Sequence, residues 1–173
     1  MIHHDVLIVG SGVMGVALAS SINSDELSVG IIESNPKPSL SRRHLSINQK
    51  SLNFLKDLDV WKEIEPNAYP YQKIKVWDQE GSGYIEFDSQ EADIDLLGHI
   101  VSEGQIQKSL IEKLETKKVN FYWNNKLLDI KKNTSDVICT TSNDQISCKF
   151  LIGCDGINSS VRDLGLSLIH ISE

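Results

Sequence analysis

The chain has 173 residues and a mass of 19.3 kDa, enough for one ordinary core with part of a second domain attached. Hydrophobic residues at 40% and charged residues at 24% exclude a disordered or fibrous chain. Seventeen basic against 24 acidic residues give a net charge of −7, which argues against a nucleic-acid partner held by phosphate neutralisation. A small anionic ligand is not excluded, because local groups and not the overall charge hold it. No charged segment leads into a long apolar run at the N-terminus, so neither a signal peptide nor a membrane-spanning helix is expected, and His3-His4 is too short for a metal tract. Cys139, Cys148 and Cys154 show no C-x-x-C spacing and read as reduced thiols of a cytoplasmic-type protein, with no metal site.

In chain order, Asp5–Gly10 is a continuous apolar run, as in a parallel strand buried on both faces. It runs into Gly10-Ser11-Gly12-Val13-Met14-Gly15, a G-x-G-x-x-G. Gly10 permits a tight turn off the strand, Gly12 lets backbone approach a pyrophosphate, and Gly15 lets helix and strand pack closely. The small and apolar stretch Val13–Ile22 reads as the helix, whose positive end presents the N–H groups around Val13 and Met14 to phosphate. Leu27–Glu33 is the next strand. Glu33 at its end can accept hydrogen bonds from both ribose hydroxyls of a dinucleotide. Together these form a βαβ unit that binds a dinucleotide, with FAD and NAD both still open.

Pro36 and Pro38 break the chain into a loop containing Arg42 and Arg43. A helix is expected over Ser46–Leu58, with Ile47, Leu52, Phe54, Leu55 and Leu58 as its apolar face. The period then changes to two, and I-K-V-W and Y-I-E-F flank the turn Glu80-Gly81-Ser82-Gly83 as a β-hairpin. The aromatic residues over Tyr69–Trp77 read as strand core more readily than as a substrate wall. Ser102-x-x-Gln105 is a capping box opening a helix to Glu115, with Ile106, Leu110, Ile111 and Leu114 facing inward. Short strands are expected near Val119–Trp123, Leu127–Ile130, Val137–Thr141 and Ile146–Ile152.

After the last strand comes a second motif, Asp155-Gly156-Ile157-Asn158-Ser159-Ser160-Val161-Arg162, of the form D-G-x-x-S-x-x-R. Asp155 can accept from backbone or ribose donors, Gly156 permits a tight turn, and Arg162 can pair with Asp155 or with phosphate. With the glycine motif upstream, the chain resembles the FAD-dependent aromatic-ring hydroxylases, single-component group A flavoprotein monooxygenases. Within them it is most similar to the ubiquinone-biosynthesis hydroxylases, through Ser46–Trp61, Ile74–Asp78, Tyr84–Asp88, L-G-H-I-V (Leu97–Val101) and L-I-G-C-D-G-I-N-S-S-V-R. One departure is plain. After L-G-H-I-V the family usually carries Glu-Asn, whereas this chain has Ser102-Glu103, and a carboxylate beside a flavin ring donates less well than an amide.

The resemblance implies an α/β fold: a Rossmann-like FAD-binding part over 1–70, a partial β-rich substrate-domain segment over 71–100, and a return to the FAD-binding domain over 101–165. It implies FAD contacts at Gly10, Gly12, Val13, Met14, Gly15, Glu33, Arg43, Glu103, Asp155, Gly156 and Arg162. It also implies that NAD(P)H reduces FAD and that an oxygen atom from O2 passes to the ring of a polyprenylated phenol. The cofactor carries that chemistry, so no catalytic side chain is named. The family's third fingerprint, a Gly-Asp before a proline-rich turn, has no counterpart here. The last residues, L-S-L-I-H-I-S-E over Leu166–Glu173, resemble a translated sequencing adapter. A fragment unable to turn over and poor at holding FAD is therefore expected. A lipid-borne substrate implies contact with the inner membrane periphery, and the family implies a multi-enzyme complex. A different flavoprotein hydroxylase or epoxidase, or a flavin-free NAD-binding module, are the competing readings.

Overall fold

The computed structural model describes residues 2–38, 41–79 and 81–166. Residues 167–173, most of the adapter-like tail, and Glu80 of the expected turn lie outside the described residues. Strand β1 spans Ile2–Val9, helix α1 Val13–Ser21 and strand β2 Val29–Ile32, close to the expected βαβ unit. Strand β3 covers His44–Ile47 and helix α2 covers Gln49–Asp57. The helix expected from Ser46 thus begins three residues later. Asn48 sets its start, because the side-chain oxygen accepts from Ser51 N at 2.9 Å as an N-cap. Leu52, Leu55 and Leu58 are buried on the expected face, but Phe54 is exposed.

A single turn, α3 (Trp61–Ile64), and a 3-10 turn (Glu65–Asn67) lead into strand β4, Tyr69–Tyr71. Strands β5 (Lys73–Trp77) and β6 (Tyr84–Asp88) form the expected hairpin. Strand β7 (Gly98–Ser102) then runs into helix α4, Glu103–Glu115. Ser102 Oγ accepts from Gln105 N at 3.3 Å, which is one half of the capping box. The Gln105 side chain donates to the Glu63 carbonyl at 3.4 Å. Ile106, Leu110, Ile111 and Leu114 are all buried, as their spacing requires. Strands β8 (Val119–Tyr122), β9 (Leu127–Lys132), β10 (Val137–Thr141) and β11 (Gln145–Gly153) follow, and helix α5 (Ser160–Leu166) closes the described chain.

The chain divides into two compact units, 1–39 with 110–173 and 40–109. These compact units part at 39/40 and 109/110, whereas the resemblance set domain limits at 70 and 100. The reason is pairing: β3 lies against β7 in register Leu45↔Val101, which draws the segment from residue 40 onward into the middle unit.

The first unit carries a six-stranded sheet in the order β8-β2-β1-β11-β10-β9. The first four strands are parallel, and β10 and β9 run antiparallel at one edge. Leu7, Ile8, Ile31 and Ile32 are fully buried, as continuous apolar strands covered on both faces should be. Each such side chain contributes about 1.5–3 kcal/mol of burial. The small residues Gly15, Ala17 and Ala19 of α1 are buried and allow a close approach of helix to sheet. Cys139 and Cys148 lie fully buried in this core; hydrogen bonding with Cys148, then burial, pushes the Cys139 thiol pKa up.

The second unit holds the three-stranded sheet β3-β7-β4 and the separate β5-β6 hairpin. Leu52, Leu55, Trp61, Ile64, Val101 and Ile106 are among its buried residues. The hairpin carries exposed Ile74, Val76, Trp77, Tyr84, Ile85 and Phe87, so its aromatics are not strand core among the described residues. No helix among the described residues is long and apolar enough to cross a membrane.

Candidate functional site

Three parallel strands, β2, β1 and β11, end side by side, and the loops that leave them surround one cavity of about 510 Å³. That is the size range of small-molecule sites. Its walls include Gly10 and Gly12 after β1, Glu33 and Asn35 after β2, and Asp155 and Gly156 after β11. The strand ends are laced together, because Gly10 N donates to the Ile32 carbonyl at 2.8 Å and Cys154 N to the Val9 carbonyl at 2.7 Å. The two motifs read from the sequence thus meet in one place, although most of the chain separates them.

The three glycines do different things. Gly10 has φ +103°, and a methyl on it would run into the Cys154 carbonyl oxygen. A methyl on Gly15 would strike the Gly10 carbonyl oxygen. These two positions are closed by protein backbone. A methyl on Gly12 would meet nothing within 4 Å, so the missing side chain there opens space for something that is not protein. Gly12 is also the N-cap of α1 and offers no side-chain acceptor. The first-turn N–H groups, Val13 and Met14 among them, have no acceptor within the helix. Met14 itself is 74% exposed, so its backbone and not its side chain is the useful part.

Glu33 is half-buried and surrounded by donors. Its Oε2 accepts from Ser11 N and Ser11 Oγ, both at 2.9 Å. Its Oε1 accepts from Asn35 N at 2.9 Å, Asn35 Nδ2 at 3.0 Å and Ser34 Oγ at 3.3 Å. Burial raises the carboxyl pKa, but the hydrogen bonds from Ser11 and Asn35 together outweigh it and hold it below the ordinary 4.5. The group is a fixed anion with most of its lone pairs engaged, so two ribose hydroxyls would have to compete with protein donors. Sequence pattern marks Glu33 but says nothing of this clamp.

Asp155 is also engaged. Its Oδ1 accepts from Ser159 Oγ at 2.6 Å and its Oδ2 from Val161 N at 3.1 Å. Ser159 Oγ in turn accepts from Arg162 N at 3.0 Å and caps α5. Gly156, at φ +80°, provides the expected turn. Arg162 does not pair with Asp155. Its Nε lies 3.2 Å from Asp163 Oδ1, and the Asp155 oxygens accept from Ser159 Oγ and Val161 N.

Arg43 and Glu103 lie in the second unit and meet each other. Arg43 Nε is 3.6 Å from Glu103 Oε2, Glu103 N donates to the Arg43 carbonyl at 2.9 Å, and Ser41 Oγ donates to Glu103 Oε2 at 3.0 Å. The departure at Glu103 thus supplies a counter-charge for Arg43, and the pairing of β3 with β7 brings the two together.

Sequence reasoning missed the far wall of the cavity, formed by Asn35 and the loop Asn124–Lys126. Asn124 takes φ +53°, and its N donates to the Asn35 carbonyl at 3.0 Å. Asn125 is buried, donates from its N to the Glu33 carbonyl at 2.8 Å, and accepts from Ser142 Oγ and Asn143 N, both at 3.2 Å. Lys126 is the one cation among the described lining residues. The Asn-Asn pair was the available signal, since asparagine is the residue other than glycine that most readily adopts positive φ.

The glycine cradle, its open position at Gly12 and the neighbouring carboxylate are what the ADP half of a dinucleotide requires, so the residues fit such a group. The sequence matches the family described as FAD binding domain over residues 3–171. It is 29% identical over 175 residues to the 3-demethoxyubiquinol 3-hydroxylase of Escherichia coli, covering 96% of this chain and 44% of that protein. It is 26% identical to the mitochondrial ubiquinone biosynthesis monooxygenase COQ6 of Dictyostelium discoideum, covering 92% of this chain and 38% of that protein. The chain thus spans less than half the length of these relatives. The fold is similar to that of p-nitrophenol 4-monooxygenase from Pseudomonas putida, with a TM-score of 0.80 at 21% identity over 95% of this chain and 44% of that one. It is also similar to that of the flavin-dependent monooxygenase PieE in complex with FAD and substrate, with a TM-score of 0.79 at 15% identity over 94% and 32%. The chain belongs to the FAD binding domain family.

Proposed function

We propose that the whole protein is an FAD-dependent monooxygenase that hydroxylates the ring of a polyprenylated phenol in ubiquinone biosynthesis, using NAD(P)H and O2. The observation that carries this is the single cavity joining the Gly10–Gly15 cradle, Glu33 and the Asp155-Gly156 loop. The named relatives support the substrate class. In this reading the first-turn amides of α1 hold the pyrophosphate, Glu33 takes a ribose hydroxyl, and the Asp155-Gly156 loop, kept in shape by Ser159, borders the rest of the ligand. FAD supplies the redox and oxygen chemistry. The chain's own work is to bind it, fix its orientation and keep water from it.

Arg43, Glu103 and Arg162 belong to the reading as contacts to the flavin end, and the 40–109 unit as the start of the substrate-binding part. A polyprenyl tail stays in lipid, so the reading includes peripheral membrane contact.

Titrating the 173-residue chain with FAD and following flavin fluorescence tests the cofactor part. Weak but saturable quenching, as suits a fragment, that Glu33→Gln weakens further is expected, and quenching indifferent to Glu33 would count against the site. For the reaction, the polypeptide of the full natural gene is supplied with NADH or NADPH and either a polyprenylphenol or a soluble phenol. Hydroxylated product from the prenylated ring is expected; product from the soluble phenol alone would replace the substrate class.

A further inference from the structure

We infer that the two oxygens of Glu33 have separate jobs: Oε2 is fixed by the protein, while Oε1 is the oxygen offered to a ribose hydroxyl, and the Asn35 side chain holds that place until the ligand displaces it. This rests on the reading of the cavity as a nucleotide site.

Burial makes the distinction. Ser11 is 2% exposed and donates to Oε2 from both its backbone N and its Oγ. The backbone donor is fixed by the glycine loop. Releasing the buried hydroxyl would remove one of its hydrogen bonds where water cannot replace it. Oε2 is therefore committed. On Oε1 the firm partner is Asn35 N at 2.9 Å, and the other donors are Asn35 Nδ2 and Ser34 Oγ. Both side chains belong to exposed residues, so either can turn to water at no more than the net cost of one ordinary hydrogen bond. A carboxylate oxygen offers about two lone-pair sites. With one held by Asn35 N, the second passes from the Asn35 amide to an incoming hydroxyl.

The exchange is balanced. One N–H···O bond to Oε1 is lost and one O–H···O bond to the same oxygen forms; no proton moves, and the carboxylate stays ionised. The net gain is then smaller than for a bare carboxylate. Asn35 therefore tempers ribose affinity, although its geometry looks like support. A merely structural clamp would do the reverse, since loosening it would misplace Glu33 and weaken binding.

Calorimetric titration of the 173-residue chain with ADP and with 2′,3′-dideoxy-ADP separates the two. Asn35→Ala is expected to tighten ADP roughly 3- to 10-fold, the size of one ordinary hydrogen bond, and to leave the dideoxy ligand unchanged. Ser11→Ala is expected to weaken ADP, and thermal melts of both variants confirm that they fold. An unaltered chain that prefers ADP, with no gain in Asn35→Ala, overturns the role given to Asn35 alone. An unaltered chain that binds both ligands equally, or neither, overturns the ribose reading of Glu33 and this inference with it.

Discussion

Two adjacent parallel strands, β1 and β11, each end in a glycine-containing loop that leads into a helix, yet they finish their helices in opposite ways. After β1, Gly12 caps α1 without a side chain and leaves the first-turn amides open. After β11, Ser159 caps α5 and Asp155 accepts from Val161 N, so that helix start is filled by its own residues. In the proposed reading the first loop receives an anion, while the second is held in shape by its own side chains. The difference teaches that two loops at one sheet edge can leave one helix start open and fill the other. Asp155 and Ser159 bond within their own loop, whereas a methyl on Gly12 would meet only open space.

This contrast can be broken at several points. Gly15→Ala should have the largest effect, because its methyl is driven into the Gly10 carbonyl oxygen with no flexible neighbour to yield. A loss of about 3 kcal/mol is expected, read as a lowered urea midpoint. Gly12→Ala should fold within about 1 kcal/mol of the unaltered chain while losing ADP roughly tenfold, near 1.4 kcal/mol, since its methyl occupies only ligand space. Equal losses of folding and binding in both variants would erase the distinction between sealed and open glycines. Ser159→Ala removes a cap and should cost about 1 kcal/mol in thermal stability, with little change in ADP affinity. A large binding loss there would make the second loop a ligand site as well.

The smallest effect concerns pH. Glu33 sits below its ordinary 4.5 in the folded chain, so the stability it lends is present above about that pH and fades as pH falls through the folded value. Glu33→Gln should therefore narrow its stability difference from the unaltered chain in acid melts below pH 4.5. A difference that stays constant down to the acid limit would mean that the Ser11 and Asn35 bonds do not favour the charged form.

The βαβ unit was readable because each of its signals is local: an apolar run, three glycines at fixed spacing and a strand-terminal acid. Strands β8 to β11 and the buried face of α4 followed for the same reason. What local pattern missed depends on partners far along the chain. His44–Ile47 became a strand because β7 lies beside it, and helical spacing in the neighbouring residues had absorbed Ser46 and Ile47. Arg162 looked like a partner for Asp155, but its Nε lies against the neighbouring Asp163, while Asp155 accepts from Ser159 and Val161. Asn125 meets the Glu33 carbonyl from the loop after β8, and no spacing rule links the two.

The three thiols of the first unit make it self-reporting. Cys139 and Cys148 are sealed in the sheet core, so an alkylating reagent reaches them only when the unit opens as a whole. Cys154 borders the cavity, with burial and then Asp155 raising its thiol pKa, so it reacts slowly but without unfolding. Mass spectrometry over a time course would therefore read two clocks from one sample. The earlier mass step reports the thiol at the cavity, and the later pair dates the opening of the sheet.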